Sequence, residues 1–223
     1  MKVSEALNTR LTARAFLDTP VSGDVVREIL ELAKRAPSGG NLQPWHVWVL
    51  GGGDLVRFKA LIREKMQTQP RGEGTEYHIY PTELSEPYKA RRFKVGEDMY
   101  AAIGVSRDNK LGRLMQFAQN FEFFGAPCAL FFAIDRQMQQ GQWADLGMFI
   151  QSIMLLAREH GLHTAPQEAW AIWYKTVGEF LSIPPNLMLF CGMGIGFIDD
   201  AAPINRLRTD RAALSEFVSF KGI

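Results

Sequence analysis

Between Trp143 and His160 the chain reads as a helix whose apolar residues, Leu146, Met148, Phe149, Ile150, Ile153, Met154, Leu155 and Leu156, point in nearly every direction. A surface helix carries one apolar stripe; a helix apolar almost all round has to be enclosed, in a core or in a subunit interface. Gly161 stands at the C′ position, where a left-handed residue commonly ends a helix. The fold must therefore be built around residues 143–160. Two apolar runs of strand length, Pro127–Ile134 before it and Leu187–Ile198 after it, offer it a sheet to pack on.

The rest of the chain supplies a third strand and several helices. Trp45–Leu50 is β-branched and aromatic, as strands are. A short helix is expected from Ser4 to about Arg10. A second runs through Val25, Val26, Ile29, Leu30 and Ala33, whose spacing makes one apolar face, and Pro37 stops it. Gly53–Gln67 and Ala171–Leu181 read as further helices, the latter halted by Pro184 and Pro185. This order is not a regular βαβ alternation. It predicts an α+β fold, a mixed sheet flanked by helices, in a single domain over 1–223. Residues 68–112 interrupt it: they are charged, rich in Tyr, Pro and Gly, and without clean periodicity until Tyr88, the composition of a lid or partner-contact insertion. The tail, Leu214–Phe220, is short and β-leaning.

Composition narrows the function classes. A formal net charge of +1 argues against a dedicated nucleic-acid binder. Cys128 and Cys191 lie in apolar runs and read as buried strand thiols, which fits a reducing compartment. The first residues have no apolar signal core, and no window approaches about 18 uninterrupted apolar residues. A soluble, cytoplasmic protein that does not engage a membrane is expected.

Two regions invite a ligand. In Ala36–Leu50 the adjacent Gly39 and Gly40 let backbone come close to a bound molecule, in a polar loop between a helix and a buried strand. Arg10, Thr12 and Arg14 share one side of an extended chain, and the two arginines still share a face at i and i+4 if it is helical; two guanidiniums with a hydroxyl suit a phosphate or carboxylate. Arg206 and Arg208 form a second such pair after the last strand. Gly192-Met-Gly-Ile-Gly196 lacks both the spacing and the following helix of a dinucleotide fingerprint; close packing of a bulky ligand, or crowding within the sheet, explains Gly192 and Gly194 better. The histidines assemble no metal site: His160 and His163 flank a helix end without other ligands at suitable spacing. No nucleophile elbow or Cys/His signature occurs. With hydrolytic and metal chemistry poorly supported, an organic cofactor is the natural carrier of reactivity.

Together these segments resemble the FMN-dependent nitroreductase family over nearly the whole chain. Arg10-Leu-Thr-Ala-Arg-Ala-Phe16 resembles its opening R-x-S/T-x-R/K-x-F motif, and Pro37-Ser-Gly-Gly-Asn-Leu-Gln-Pro-Trp45 its P-S-x-x-N-x-Q-P-W loop. Asp145 to Gln151 and Leu155 to Leu162 resemble its long central helix, and Gly192–Gly196 with Arg206–Arg208 its closing segments. The resemblance implies an intertwined homodimer with FMN at the interface and NAD(P)H as electron donor. Arg10, Thr12, Arg14, Arg206 and Arg208 would cradle the phosphate, and Pro37, Ser38 and Asn41 would approach the same flavin from the other subunit. Pro166, Gln167 and Glu168 would run beside the isoalloxazine, a backbone N–H near Glu168 facing its hydride-accepting nitrogen. Donor and acceptor would react in turn, ping-pong, with no side chain needed as acid or base. The tail would add to the partner's sheet.

Gln119-Asn-Phe-Glu-Phe-Phe-Gly replaces the family's usual Asn and Lys before the second core strand; Gln119 is the amide named for the flavin, with Asn120 the open alternative. The insertion resembles the longer, nitrobenzoate-reductase-like branch. There Arg91 or Arg92 would steer a substrate carboxylate, and Tyr88, Phe123 or Phe124 would stack on a small aromatic acceptor. Two other functions stay open. One is flavin-dependent reductive dehalogenation, for which Glu76 and Tyr80 have suitable spacing but Lys94 comes too early. The other is a non-catalytic flavin-binding redox sensor.

Overall fold

Four strands and seven helices make up the computed structural model, which describes residues 1–223. In chain order the helices are α1 (Val3–Thr9), α2 (Gly23–Ala33), α3 (Gly52–Thr68), α4 (Tyr88–Ala102), α5 (Lys110–Ala118), α6 (Gln140–Glu159) and α7 (Tyr174–Leu181). The strands are β1 (Trp45–Gly51), β2 (Cys128–Asp135), β3 (His163–Gln167) and β4 (Leu187–Gly196). They pair in the order β1-β2-β4-β3, antiparallel throughout. The α+β class is as expected, but within one chain the sheet is antiparallel rather than mixed. The parallel component is a single bridge between Thr12 and Thr164.

Alternation along β2 divides the core. Cys128, Leu130, Phe132 and Ile134 face a layer made by α2 and α6, with Ile29, Leu146, Phe149 and Ile153. Ala129 and Phe131 face the opposite layer, built from Phe58 and Ile62 of α3, Val177 of α7, and Phe121, Phe123, Trp170 and Trp173. The apolar helix at 140–159 is buried along the face carrying Leu146, Phe149, Ile150 and Ile153, while Met148 is exposed and Leu155 and Leu156 are half-buried. Trp45 at the start of β1 stacks on its Phe149 with ring centroids 4.7 Å apart.

Gly192 and Gly194 lie in the central strand and are buried. A Cβ on Gly192 would stand 2.4 Å from Trp170 Cδ1; one on Gly194 would stand 3.0 Å from the Phe123 carbonyl oxygen and from Ala126 Cβ. At Gly192 the space is taken by Trp170 and at Gly194 by Ala126 and Phe123, so crowding within the sheet, one of the two reasons expected for these glycines, accounts for both. Gly192→Ala should cost about 1–3 kcal/mol through overpacking against Trp170. Urea unfolding followed by tryptophan emission reads this, and an undiminished midpoint would show that Trp170 moves aside freely.

Three elements depart from the sequence reading. β3 has only five residues and contains Pro166, a residue tolerated because β3 is the last of the four strands. α5 begins at Lys110, at the end of the insertion, and is not among the expected helices. The tail forms a 3₁₀ turn at Leu214–Glu216 and no strand in this chain.

Candidate functional site

β3 positions the site. Residues 10–16 run alongside it, joined by the Thr12–Thr164 bridge and by Ala13 N–H donating to Thr164 C=O at 3.1 Å. The segment after β4 is locked to the same place by Asn205, which is buried. Its Oδ1 accepts from Arg14 N–H (2.7 Å), and its Nδ2 donates to Ala15 C=O and Asp199 C=O (both 2.8 Å). Arg208 donates to Asn205 C=O at 2.8 Å. Arg208 is thereby brought to the end of β3 where Arg10 and Arg14 lie.

No direct ion pair neutralises the charge there, although Asp200 and Glu5 act on Arg158 from farther off. Arg10, Arg14, Arg158, Arg208 and Arg211 have no carboxylate within salt-bridge distance. Burial lowers the Arg14 pKa; burial, then the nearby Arg211 charge, lowers that of Arg10. The buried Arg10 Nε has no hydrogen-bond partner. Unpaired guanidiniums held close together are costly in the free protein and suit a dianion such as a phosphate ester. Arg206 stands apart, exposed and turned back onto Ala201 C=O at 3.3 Å.

His163, at the start of β3, belongs to this end. Arg158 donates through Nη1 to Leu162 C=O (2.7 Å) and to His163 Nδ1 (3.1 Å). A guanidinium can only donate, so Nδ1 is the acceptor and the proton sits on Nε2. Burial first, then Arg158, pushes the His163 pKa down to about 4. The unfolded chain therefore binds a proton between about pH 6.5 and 4 that the folded chain refuses, and stability should fall as the pH drops through that window. His163→Gln should flatten this part of the stability-versus-pH curve in urea unfolding at pH 7 and pH 5. An equal slope in both proteins would place the titration elsewhere.

At the other end of β3 a cavity of about 560 Å³ opens between the sheet, α6 and the insertion. Pro166, Gln167, Glu168 and Ala169 form one wall, Gly147 and Ile150 of α6 another; Ile79, Tyr80, Phe117, Asn120, Ile172, Phe190 and Cys191 complete it. Gln167 Nε2 donates to Asn120 C=O at 2.6 Å, while its buried Oε1 has no partner. Burial raises the Glu168 pKa. The wall contains no histidine or lysine.

The other expected residues sort clearly. Gln119 is exposed; its neighbour Asn120 is the amide in the cavity wall, shifted by one residue in the 3₁₀ turn at Gln119–Gly125. Phe123 and Phe124 are buried, Phe123 stacking on Trp170 with centroids 4.6 Å apart, so neither lines the cavity; Phe117 does. Tyr88 is exposed at the start of α4, outside the cavity wall. Arg91 pairs with Glu216 at 2.8 Å, whereas Arg92 lies over the Tyr80 ring at 4.0 Å. Glu76 pairs with Arg136 and Lys94 with Asp98 and Asp210, so the Glu76, Tyr80, Lys94 set does not converge. Pro37 and Asn41 are exposed and Ser38 half-buried. Gly39 N–H donates to the buried Asp145 of α6 at 3.1 Å, and Gln43 N–H to Ser38 Oγ at 3.0 Å. Gly40, Asn41 and Gln43 all have positive φ, so this loop is held in a strained shape with its polar groups outward.

The sequence profile of the nitroreductase family matches residues 7–197, and the chain belongs to that family. It is 35% identical over 214 residues to a 4-nitrobenzoate reductase of Pseudomonas putida, covering 96% of this chain and 93% of that protein. The crystal structure of the FMN and NADPH-dependent nitroreductase NfnB from Sphigopyxis sp. strain HMH superposes with a TM-score of 0.96 at 44% identity, over 100% of both chains. The FMN-dependent nitroreductase NfnB from Mycobacterium smegmatis, solved in complex with NADPH, superposes with a TM-score of 0.92 at 29% identity, over 98% of both.

Proposed function

We propose that this protein is an FMN-dependent NAD(P)H oxidoreductase that reduces nitroaromatic or quinone-type acceptors. The observation that carries this reading is the pairing along β3 of an unneutralised arginine cradle with a largely apolar cavity. Five steps of strand separate His163 from Glu168, about 16 Å at 3.3 Å per residue. That span suits a phosphate joined by a five-carbon chain to a tricyclic ring. The orphaned Arg10 Nε and Gln167 Oε1 fit such a ligand at its two ends.

Arg10, Thr12, Arg14 and Arg208, with Arg158 and Arg211 behind them, would hold the phosphate. Pro166, Gln167 and Glu168 would lie along the ring, with Asn120 fixing Gln167. When bound, FMN supplies the two-electron chemistry between nicotinamide and acceptor. The chain contributes an apolar enclosure: Ile79, Ile150, Ile172 and Phe190 exclude water, and Phe117 and Tyr80 offer aromatic faces to a flat acceptor. The insertion at 68–112, which provides Ile79 and Tyr80, serves as a lid.

The working form is a homodimer. The chain exposes 13118 Å², against about 10,300 Å² for a compact monomer of its mass. The excess has the size of an obligate interface and includes Leu7, Leu32, Leu42 and Met148. The outward loop with Pro37, Ser38 and Asn41 would then reach the cofactor held by the other subunit. No helix is long and apolar enough to cross a membrane. A cytoplasmic location, with Cys128 and Cys191 as free thiols, accords with this reading.

The test is spectroscopic. The purified protein should show a bound-flavin visible spectrum, bleach with NADPH or NADH without oxygen, and recover its colour on adding nitrobenzene or a quinone. A protein that takes up no added FMN would overturn the reading. Bound FMN that neither nicotinamide reduces would favour the redox sensor instead.

A further inference from the structure

The insertion carries a run of cations on α4, and their partners differ. Arg91 is neutralised by Glu216 at 2.8 Å, and Lys94 by Asp98 and Asp210 at 2.5 and 2.9 Å. Arg92, between them, has no carboxylate within salt-bridge distance; its guanidinium carbon lies 4.0 Å from the centroid of the Tyr80 ring. Tyr80, half-exposed, belongs to the wall of the cavity that also holds Pro166 to Glu168. A guanidinium held face-on to a ring is oriented by the contact, yet keeps the N–H groups around its edge for an acceptor. In-plane donors of this kind match a carboxylate, which takes two of them at once.

The charges around Arg92 leave that role open. Glu97 is taken bidentately by Arg113 at 2.6 and 2.9 Å. Glu83 and Lys89 line the neighbouring cleft with Arg92. Among the aromatic rings of the cavity wall, Tyr80, Phe117 and Phe190, a cation sits over Tyr80 alone. Deeper in, an anion meets an apolar wall and the Glu168 carboxyl, so its favourable place is at the exposed end beside Arg92.

We propose that Arg92, carried on the Tyr80 ring, selects aromatic acceptors bearing an anionic group and holds that group at the cavity mouth while the reducible end points inward. This rests on the reading that the cavity receives the acceptor.

The experiment compares the FMN-loaded protein with its Arg92→Ala and Lys89→Ala variants, using 4-nitrobenzoate and nitrobenzene with each of NADH and NADPH. The ratio of kcat/KM for 4-nitrobenzoate to that for nitrobenzene should fall about tenfold in Arg92→Ala, through KM rather than kcat, as expected for one charge-assisted contact. Lys89→Ala should keep the ratio. Calorimetric binding of 4-aminobenzoate, which is not reduced, should weaken by a similar factor in Arg92→Ala alone. An unchanged ratio with unchanged 4-aminobenzoate binding overturns the proposal and leaves the functional reading standing. A change confined to NADPH against NADH also overturns it, because Arg92 would then be reading the donor's phosphate. If the wild-type protein reduces neither acceptor, the proposal fails, and if a quinone is not reduced either, the functional reading fails with it.

Discussion

Arg10→Ala and Arg208→Ala, combined, should strip FMN from the purified protein while leaving its affinity for riboflavin nearly as it was. In the proposed cradle each substitution would remove a charge-assisted contact to the phosphate worth about 1.5–3 kcal/mol, or roughly 10- to 150-fold in affinity. The two act on one group, so the combined loss need not equal the product. Riboflavin has the ring and side chain but no phosphate, which makes it the control that isolates the cradle. Stability should move the other way. Arg10 lies among cations without a carboxylate partner, and burial and Arg211 both lower its pKa, so its charge is unfavourable in the free protein. The flavin-free double variant should melt no lower than the flavin-free parent, the pattern of residues kept for binding at the expense of the fold. Fluorescence titration with the two flavins, and thermal melts of the flavin-free proteins, decide it. Equal weakening of FMN and riboflavin would mean that the arginines hold the fold rather than a phosphate.

The two arginine pairs were legible in the sequence because the signal is local: residue type and spacing suffice. What brings them together was not. Asn205 sits between Ile204 and Arg206 with nothing to distinguish it from a loop asparagine, and its three partners lie on two other segments. In the sequence His163 stands out only beside His160, as a metal pair, and Arg158 carries no signal, since its guanidinium is folded against His163 from the end of α6. Gly192 and Gly194 show the limit from the other side. A glycine in a strand reports that something bulky comes close, and sequence does not say whether that is a ligand or Trp170. The same holds for Phe123, which stacks on Trp170, a packing partner far along the chain. Sequence could not choose between Gln119 and Asn120; the 3₁₀ turn that follows α5 presents Asn120 to the cavity. Helix α6 and strands β2 and β4 were read well, being long apolar runs whose burial the hydrophobic effect fixes directly.

Asn205→Ala should be the most damaging polar substitution at the site, because it removes both the lock and the alignment of the cradle. Arg14 N–H loses its acceptor, and the carbonyls of Ala15 and Asp199 lose their donor. Leaving such groups unpaired costs about 1–3 kcal/mol each in full burial; with solvent reaching part of the site, about 2–4 kcal/mol in total is expected. That corresponds to a melting temperature lower by roughly 5–15 °C for a chain of this size. Alanine alone would not separate a structural role from a binding one, and Asn205→Asp does so. The aspartate retains an acceptor for Arg14 N–H but loses the two donated bonds, and it sets a carboxylate among Arg14 and Arg208, where it competes with the phosphate. Its stability should therefore lie between those of the alanine variant and the parent, since the new charge is welcome among unpaired arginines. Its FMN affinity should nevertheless fall at least as far as the alanine variant's. Melting curves with FMN titration measure both quantities on one sample. If the aspartate variant binds FMN as the parent does, the segment that Asn205 fastens is not the one that meets the phosphate, and the cradle would have to be drawn from Arg10, Arg158 and Arg211 alone.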